Sequence, residues 1–273
     1  SEDCLYLNVW TTAPGQTERK LPVALWIFGG GLREGWGSEA EFDGAAWANK
    51  EVVLVTFNYR VGVFGFLTHP ELSAESPNNV SGNYGILDQI EALKWVKNNI
   101  AQFGGDPDNV TIFGQSAGGR STKTLCASPL ARGLFNKAII MSASGLGGMP
   151  AFAPLTLEES AQQTKEVMDW AGLTSLEKMR AASTEVVFSL GTIYQSVTGN
   201  RTWMSGMMSP LVDGYVLKES FDDAAVNNTL ANVPYMIGFT LNDAGNMAPG
   251  IMNFCLNREA TGDKAYAYQF ARP

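Results

Sequence analysis

The feature that most constrains this chain is a short apolar run that leads directly into a glycine-rich turn. Residues 110–113 (VTIF) are β-branched and aromatic, which predicts a buried strand. Residues 114–118 (GQSAG) follow at once with the spacing G-x-S-x-G, and a helix is predicted over 121–126. Such a turn holds its serine clear of the sheet, at the positive end of the helix. The pattern predicts Ser116 as a nucleophile beside an oxyanion-binding Ala117 N–H, with a purely structural glycine turn as the alternative.

Apolar runs and amphipathic segments alternate over most of the chain. Residues 21–28 (LPVALWIF) are almost continuously apolar, which is typical of a parallel strand covered on both faces. Residues 84–100 instead carry apolar side chains at helical spacing. This alternation predicts an α/β fold with a right-handed, doubly wound, mostly parallel sheet. Further strands are predicted at 5–10, 51–57, 137–141, 233–239 and 266–270, helices at 157–170 and 176–188, and a surface excursion at 61–79.

The composition excludes several classes of protein. In this chain of 273 residues, hydrophobic residues make up 45% and charged residues 17%, as expected for a globular chain with a sizeable core. The net charge of −8 argues against nucleic acid or an anionic membrane as a partner. No apolar run approaches the roughly 20 residues that a membrane span needs. Cys4, Cys126 and Cys255 lack the spacing of a metal site or disulfide scaffold, and no cofactor is predicted.

Three consecutive glycines follow the first buried run. Gly29, Gly30 and Gly31 come directly after residues 21–28, so their N–H groups can face a ligand without cover from side chains. A flexible hinge is the alternative interpretation. Because a serine nucleophile of this kind works with donors from a glycine-rich loop, we expect these glycines to lie beside Ser116.

Several of these motifs resemble one known family. Residues 103–118 (FGGDPDNVTIFGQSAG) match the active-site signature of the type-B carboxylesterases, and residues 2–9 (EDCLYLNV) resemble the family's second signature. The resemblance, to a microbial type of member, implies an α/β-hydrolase fold. It also implies one catalytic domain over residues 1–273, with a helical cap inserted at about 145–210.

The resemblance assigns roles to individual residues. It implies that the N–H groups of Gly30 and Gly31 join that of Ala117 in an oxyanion hole. It also implies that Arg60 and Asp88 form a buried ion pair in the framework. Breaking a buried pair usually destabilises a protein by several kcal/mol, so this pair is expected to serve the fold and not the chemistry.

The acid partner of Ser116 is expected in a loop after a later strand, because the triad of this fold occurs in the order Ser, Asp or Glu, His. Asp243 follows a predicted strand and matches the acidic position of relatives. Asp213 and the pair Asp222 and Asp223 compete with it. Asp213 precedes a glycine and is typical of a turn residue. We therefore predict Asp243 as the catalytic acid.

A serine nucleophile also needs a base, which is nearly always a histidine. The chain contains one histidine, His69, and it precedes Ser116 instead of following Asp243. In the resembled family, the catalytic histidine follows a strand similar to residues 266–272. We therefore expect the base to lie beyond Pro273, the chain to be a fragment clipped at both ends, and this fragment to be inactive alone.

The residue before the serine bears on the substrate. Gln115 stands where animal relatives usually have glutamate, so the site offers no carboxylate there to attract a choline-like cation. The resemblance implies a serine carboxylic ester hydrolase that acts through an acyl-enzyme on neutral esters of small or aromatic acids. A non-catalytic adhesion module of the cholinesterase-like kind is one alternative. A lipase or amidase on the same fold is another.

Overall fold

The computed structural model describes residues 2–147, 153–201, 207–243 and 245–271. In chain order, its strands β1 to β7 span Leu7–Trp10, Leu21–Ile27, Val53–Phe57, Gly105–Gln115, Lys137–Met141, Tyr235–Thr240 and Ala265–Phe270. They form a seven-stranded sheet in the spatial order β1-β3-β2-β4-β5-β6-β7. β1 is antiparallel to β3, and the other neighbours are parallel. The predicted mostly parallel sheet is confirmed.

Helices α1 to α10 connect these strands. In chain order they span Ala45–Ala48, Gly62–Phe66, Pro70–Glu75, Tyr84–Asn99, Ala117–Ala127, Leu157–Trp170, Leu176–Ala181, Thr184–Thr198, Phe221–Val226 and Ala248–Ala260. No helix within the described ranges is long and apolar enough to cross a membrane. The free thiols of Cys4, Cys126 and Cys255 form no disulfide with one another.

Successive side chains of β2 enter two different clusters, because a strand points alternate residues to opposite faces of a sheet. Val23, Leu25 and Ile27 are buried in the main hydrophobic core, to which α4, α5 and α10 also contribute. Ala24 and Trp26 pack on the other face, where the Trp26 ring lies 5.0 Å from that of Phe113. Both faces of β2 are therefore covered, as its continuous apolar run predicts.

The path of the chain creates a crevice beside β2 and β4. The chain leaves β2 for β3 on one side, whereas it leaves β4 for β5 on the other. The loops after β2 and β4 thus leave the carboxyl ends of two adjacent parallel strands in opposite directions, which opens a crevice between them. In open α/β sheets, ligands bind at such a switch point.

The prediction that residues 61–79 run over the surface is wrong for residues 61–69, which are mostly buried, whereas residues 70–79 are exposed or half-buried. Helix α2 lies within this segment, and its Val63 and Phe66 side chains are buried. Leu67 extends the same face, since the spacing i, i+3, i+4 places side chains on one side of a helix. Val63 and Leu67 join a second hydrophobic cluster formed largely by α6 to α8. The other buried members of that cluster are Val167, Met168, Met179, Val187, Leu190, Tyr194, Met207 and Met208.

The helix predicted at 176–188 is two helices. The first, α7, ends at Ala181, and the second, α8, begins at Thr184. Ser183 separates them because its side chain accepts a hydrogen bond from the N–H of Val186, which caps the start of α8. The short helix α9 and the longer α10 were not predicted from the sequence.

The predicted pairing of Arg60 with Asp88 is confirmed, although Arg60 is less buried than expected. Arg60 Nε and Nη2 donate to the two Asp88 carboxylate oxygens at 2.8 and 2.7 Å, and the Arg60 backbone N–H donates at 2.9 Å. The Asp88 side chain is 7% exposed, but that of Arg60 is 38% exposed. The hydrogen bond to Asp88 raises the pKa of Arg60. The pair joins the segment after β3 to helix α4.

Candidate active site

Ser116 is the single residue between the end of β4 and the start of α5. Its backbone has φ 56° and ψ −120°, a conformation that residues other than glycine rarely adopt, so the turn is strained. The Ser116 N–H donates to the carbonyl of Met141 at 2.9 Å, which ties the turn to β5. The structure thus places the half-buried Ser116 at the strand-to-helix turn that its motif predicts.

Two glycines make room for this turn. A Cβ atom on Gly118 would lie 2.0 Å from the carbonyl oxygen of Ile27, so only glycine lets α5 approach β2 this closely. A Cβ atom on Gly29 would lie 2.9 Å from the carbonyl oxygen of Gln115 and 3.5 Å from Cβ of Ser116. The glycine loop after β2 therefore runs directly against the serine turn.

A cleft of about 640 Å³ opens beside Ser116. Gly31 and Ala117 line it with the serine, whereas Gly30 lies in the adjoining loop with φ 86°. The Ala117 N–H belongs to the first turn of α5 and precedes the first intrahelical hydrogen bond, so it has no partner within the helix. Within the described ranges, neither Gly30 nor Gly31 donates a backbone hydrogen bond.

Asp243 lines the same cleft as Ser116. It follows strand β6, and its Oδ2 accepts hydrogen bonds from the N–H and the hydroxyl of Thr240, both at 3.4 Å. Burial raises the pKa of the Tyr268 hydroxyl, and the negative charge of Asp243 raises it further. The structure therefore places the predicted acid in the lining of the cleft that holds the predicted nucleophile.

The competing carboxylates lie in two different surroundings. Asp213 Oδ1 accepts from the backbone N–H groups of residues 215–217 at 2.8 to 3.0 Å, which makes it the turn residue that its sequence predicts. Asp222 and Asp223 do line the Ser116 cleft. Asp222 accepts from the Gly147 N–H at 2.7 Å, and Asp223 accepts from the Ser220 hydroxyl at 2.7 Å.

His69 lies in a second cleft, of about 740 Å³, which shares no lining residue with the first. It caps helix α3, where its Nδ1 accepts from the Glu71 N–H at 3.2 Å. Its own backbone N–H donates to Ser81 Oγ at 3.2 Å. The structure therefore gives His69 a place in the framework and does not bring it into the cleft of Ser116.

Two cationic residues on the α5 side of the cleft were missed by the sequence reasoning. Arg120 and Lys123 both line it. Burial lowers the pKa of Arg120 to about 10 and that of Lys123 to about 8. The signal was present in the sequence, because positions i+4 and i+7 from Ser116 share one helical face.

A comparison with protein families identifies the chain. Residues 1–271 match the model described as the carboxylesterase family. The chain belongs to that family. This carboxylesterase chain is 45% identical to the fumonisin B1 esterase of Sphingopyxis macrogoltabida, over 87% of its own length and 42% of that relative's. It is 37% identical to the para-nitrobenzyl esterase of Bacillus subtilis, over 100% of its own length and 53% of that relative's.

Solved carboxylesterase structures share its fold. A crystal structure of a carboxylesterase from Geobacillus stearothermophilus matches with a TM-score of 0.82 at 31% identity, covering 100% of this chain and 66% of that one. A PNB esterase structure matches with a TM-score of 0.74 at 37% identity, over 89% and 50% of the two chains. The predicted α/β-hydrolase fold is therefore confirmed. The carboxylesterase chain spans about half the length of the curated relatives it matches.

Proposed function

We propose that this chain carries the nucleophile and oxyanion hole of a serine carboxylic ester hydrolase. The observation that carries the proposal is the strained turn at Ser116, which opens α5 inside a cleft shared with Gly31 and Ala117. The serine Oγ gives its proton to the catalytic base as it forms a bond to the ester carbonyl carbon, and the carbonyl oxygen takes the negative charge. The N–H groups of Gly30, Gly31 and Ala117 then stabilise this oxyanion.

The reaction continues through an acyl-enzyme. The tetrahedral intermediate breaks its bond to the alcohol oxygen, which leaves with a proton, and the acyl group stays on Ser116. A water molecule then attacks the acyl carbon, releases the acid and restores the serine. In this scheme Asp243 orients the base that moves these protons.

The identity of the base limits what the chain does alone. His69, its one histidine, lines the second cleft and caps α3. We therefore propose that the catalytic histidine is not among these 273 residues. A site that keeps its oxyanion donors but lacks a triad member retains roughly 10³–10⁴-fold catalysis over water, so we expect slow turnover from this chain.

The cleft favours esters without a positive charge, of which neutral esters of small or aromatic acids are the simplest. Gln115 supplies no carboxylate at the serine turn, and the apolar Leu217, Phe221 and Met247 side chains line the cleft. We also propose that residues 145–210 form a cap within a single catalytic domain. The support for a cap is the separate hydrophobic cluster to which α6 to α8 contribute.

Covalent labelling tests the nucleophile. A fluorophosphonate probe is incubated with the protein, and intact-mass and peptide mass spectrometry locate the adduct. We expect a slow, single addition on Ser116 that Ser116→Ala abolishes. Ser144→Ala is the matched control, because Ser144 lines the same cleft. It should leave the labelling rate unchanged. A label on Ser144, or one that survives Ser116→Ala, would overturn the proposal.

A further inference from the structure

Two cationic side chains follow the nucleophile along the helix that it opens. Arg120 and Lys123 come four and seven positions after Ser116, and residues at these spacings share one face of an α-helix. All three residues line the same cleft. With a rise of about 1.5 Å per residue, the two cationic positions lie roughly 6 and 10 Å from the serine along the helix axis.

Lys123 is fixed in this cleft and still has donors to offer. Its side chain is 12% exposed. Within the described ranges its ammonium makes one hydrogen bond, to the carbonyl of Gly145 at 2.9 Å, and it lies 4.6 Å from the centre of the Phe221 ring. An ammonium group carries three N–H donors, so two of them have no hydrogen-bond acceptor among the described residues. A mostly buried cation with unused donors favours an anionic oxygen as its partner.

The acidic residues of the cleft do not take up those donors. The carboxylate of Asp222 is the nearest one described, and its Oδ1 stands 4.0 Å from Lys123 Nζ, which is beyond hydrogen-bonding distance. Asp222 Oδ2 accepts instead from the Gly147 N–H. Burial lowers the pKa of Lys123 in spite of the Asp222 charge. An additional anion beside Lys123 would therefore stabilise its charged form.

Arg120 places a second positive charge between the serine and the lysine. Its guanidinium donates to Ser209 Oγ at 3.0 Å, which holds it at the cleft. Arginine is also the side chain best suited to carboxylates, because its planar fork can offer two parallel N–H groups. A carboxylate that binds Lys123 would thus lie within the field of both cations.

We propose that this cleft prefers esters that carry a free carboxylate, with the scissile carbonyl at Ser116 and the carboxylate at Lys123. Half-esters of dicarboxylic acids are the simplest substrates of this class. The inference rests on the proposed function and refines its substrate class. Lys123 is then a specificity-determining residue, because it contacts a part of the substrate that does not react.

The test compares esters of equal length that differ in one charge. The 4-nitrophenyl monoester of glutaric acid and 4-nitrophenyl valerate both have five-carbon acyl chains, and release of 4-nitrophenol is followed in single turnovers. We expect the glutarate ester to acylate the wild-type protein about tenfold faster per unit concentration, the size expected for a hydrogen bond to a charged group. 4-Acetoxybenzoate carries its free carboxylate on the alcohol part of the ester. Its acylation rate, compared with that of 4-methylphenyl acetate, therefore tests whether the cleft binds a carboxylate on that side.

Variants assign the preference to Lys123. Lys123→Met should lower the glutarate-to-valerate rate ratio to about one. Lys165→Met is the matched control, because Lys165 lines the second cleft and its side chain is 61% exposed. It should leave the preference intact. Equal wild-type rates for the charged and neutral esters in both pairs would overturn the inference while leaving the proposed function standing.

A binding measurement separates the two proposals. The monoanilide of glutaric acid replaces the ester by an amide, and its affinity is compared by calorimetry with that of valeranilide. We expect tighter binding of the anion to wild type and no difference in Lys123→Met. Lys123-dependent binding without any acylation of Ser116 would refute the proposed function and keep the carboxylate site. Equal binding of both amides would overturn the carboxylate site.

Discussion

Lys123 lies seven positions after Ser116 on the same face of helix α5, and both side chains line one cleft. Each of them carries a local feature that opposes folding. Ser116 has a backbone conformation that favours glycine, and Lys123 has a mostly buried ammonium that makes one hydrogen bond within the described part of the chain. Features that oppose folding concentrate at functional sites. Their occurrence together on one helix face favours a shared role over two unrelated irregularities.

The first prediction is that removing the buried charge stabilises the fold. Lys123→Met removes the ammonium and keeps an unbranched side chain that is one atom shorter. At pH 7 we expect the free energy of unfolding to rise by about 1–3 kcal/mol, because burial lowers the pKa of Lys123 from its usual value near 10.5 to about 8. Urea denaturation measures the change. A variant less stable than wild type would show that its contacts with Gly145 and Phe221 outweigh the burial of the charge.

The same pKa predicts a difference between wild type and variant that depends on pH. In the unfolded chain Lys123 keeps its proton up to about pH 10.5, whereas in the folded protein it loses the proton near pH 8. Between these values the unfolded state binds more protons at this residue, so the contribution of Lys123 to wild-type stability rises with pH. Lys123→Met lacks this contribution. The stability advantage of the variant should therefore shrink from pH 8 to pH 10.5, measured by denaturation at each pH.

A second prediction concerns the preference for anionic esters. Deprotonation of Lys123 removes the charge that binds the carboxylate, so the glutarate-to-valerate rate ratio should fall as pH rises through about 8. A bound carboxylate favours the protonated lysine and shifts this midpoint upward. A ratio constant from pH 6.5 to about 9.5 would contradict the assignment to Lys123. The other charged residues of the cleft are Arg33, Arg120, Asp222, Asp223 and Asp243. Burial lowers the pKa of Arg120 to about 10, so a fall in the ratio centred near pH 8 belongs to Lys123 and not to Arg120.

A third prediction addresses the framework. Asp88→Ala leaves the Arg60 guanidinium without its carboxylate. We expect the free energy of unfolding to fall by about 3 kcal/mol. This is the lower end of the cost of breaking a buried ion pair, because Arg60 is partly exposed. Glu75→Ala is the matched control, since Glu75 pairs with Arg180 at the surface, where loss of an ion pair costs little stability. Equal losses in the two variants would refute a structural role for Asp88.

Much of the sheet was predictable because its signals are local. Continuous apolar runs predicted strands such as Leu21–Ile27. The spacing around Ser116 likewise predicted a strand, a turn and a helix in that order. Strand β4 nevertheless begins at Gly105, earlier than predicted, because Gly105 pairs with Leu21 across a register shift despite its turn-forming neighbours. Tertiary pairing overrode the local turn signal there.

The missed features depend on contacts between distant parts of the chain. The glycines near α2 indicated a surface loop, yet Val63 is buried against helices about a hundred residues later in the chain. The burial of Lys123 was likewise not predictable, because Gly145 and Phe221 come from other segments. Only the spacing of Arg120 and Lys123 from Ser116 was available in the sequence. It predicts a shared helix face but not what covers that face.

The last prediction decides which residues belong to the triad. His69→Ala and Asp243→Ala are each made in this chain or in a longer form of the protein, whichever hydrolyses 4-nitrophenyl acetate faster. Their activities are then compared. His69 caps α3 in a cleft separate from Ser116, so its loss should reduce stability by about 1 kcal/mol and leave kcat/KM within about twofold of wild type. Asp243 lines the serine cleft, and its loss should lower kcat/KM by about 10²–10⁴-fold. If His69→Ala removes the activity and Asp243→Ala does not, His69 is the base and the assignment of Asp243 is wrong.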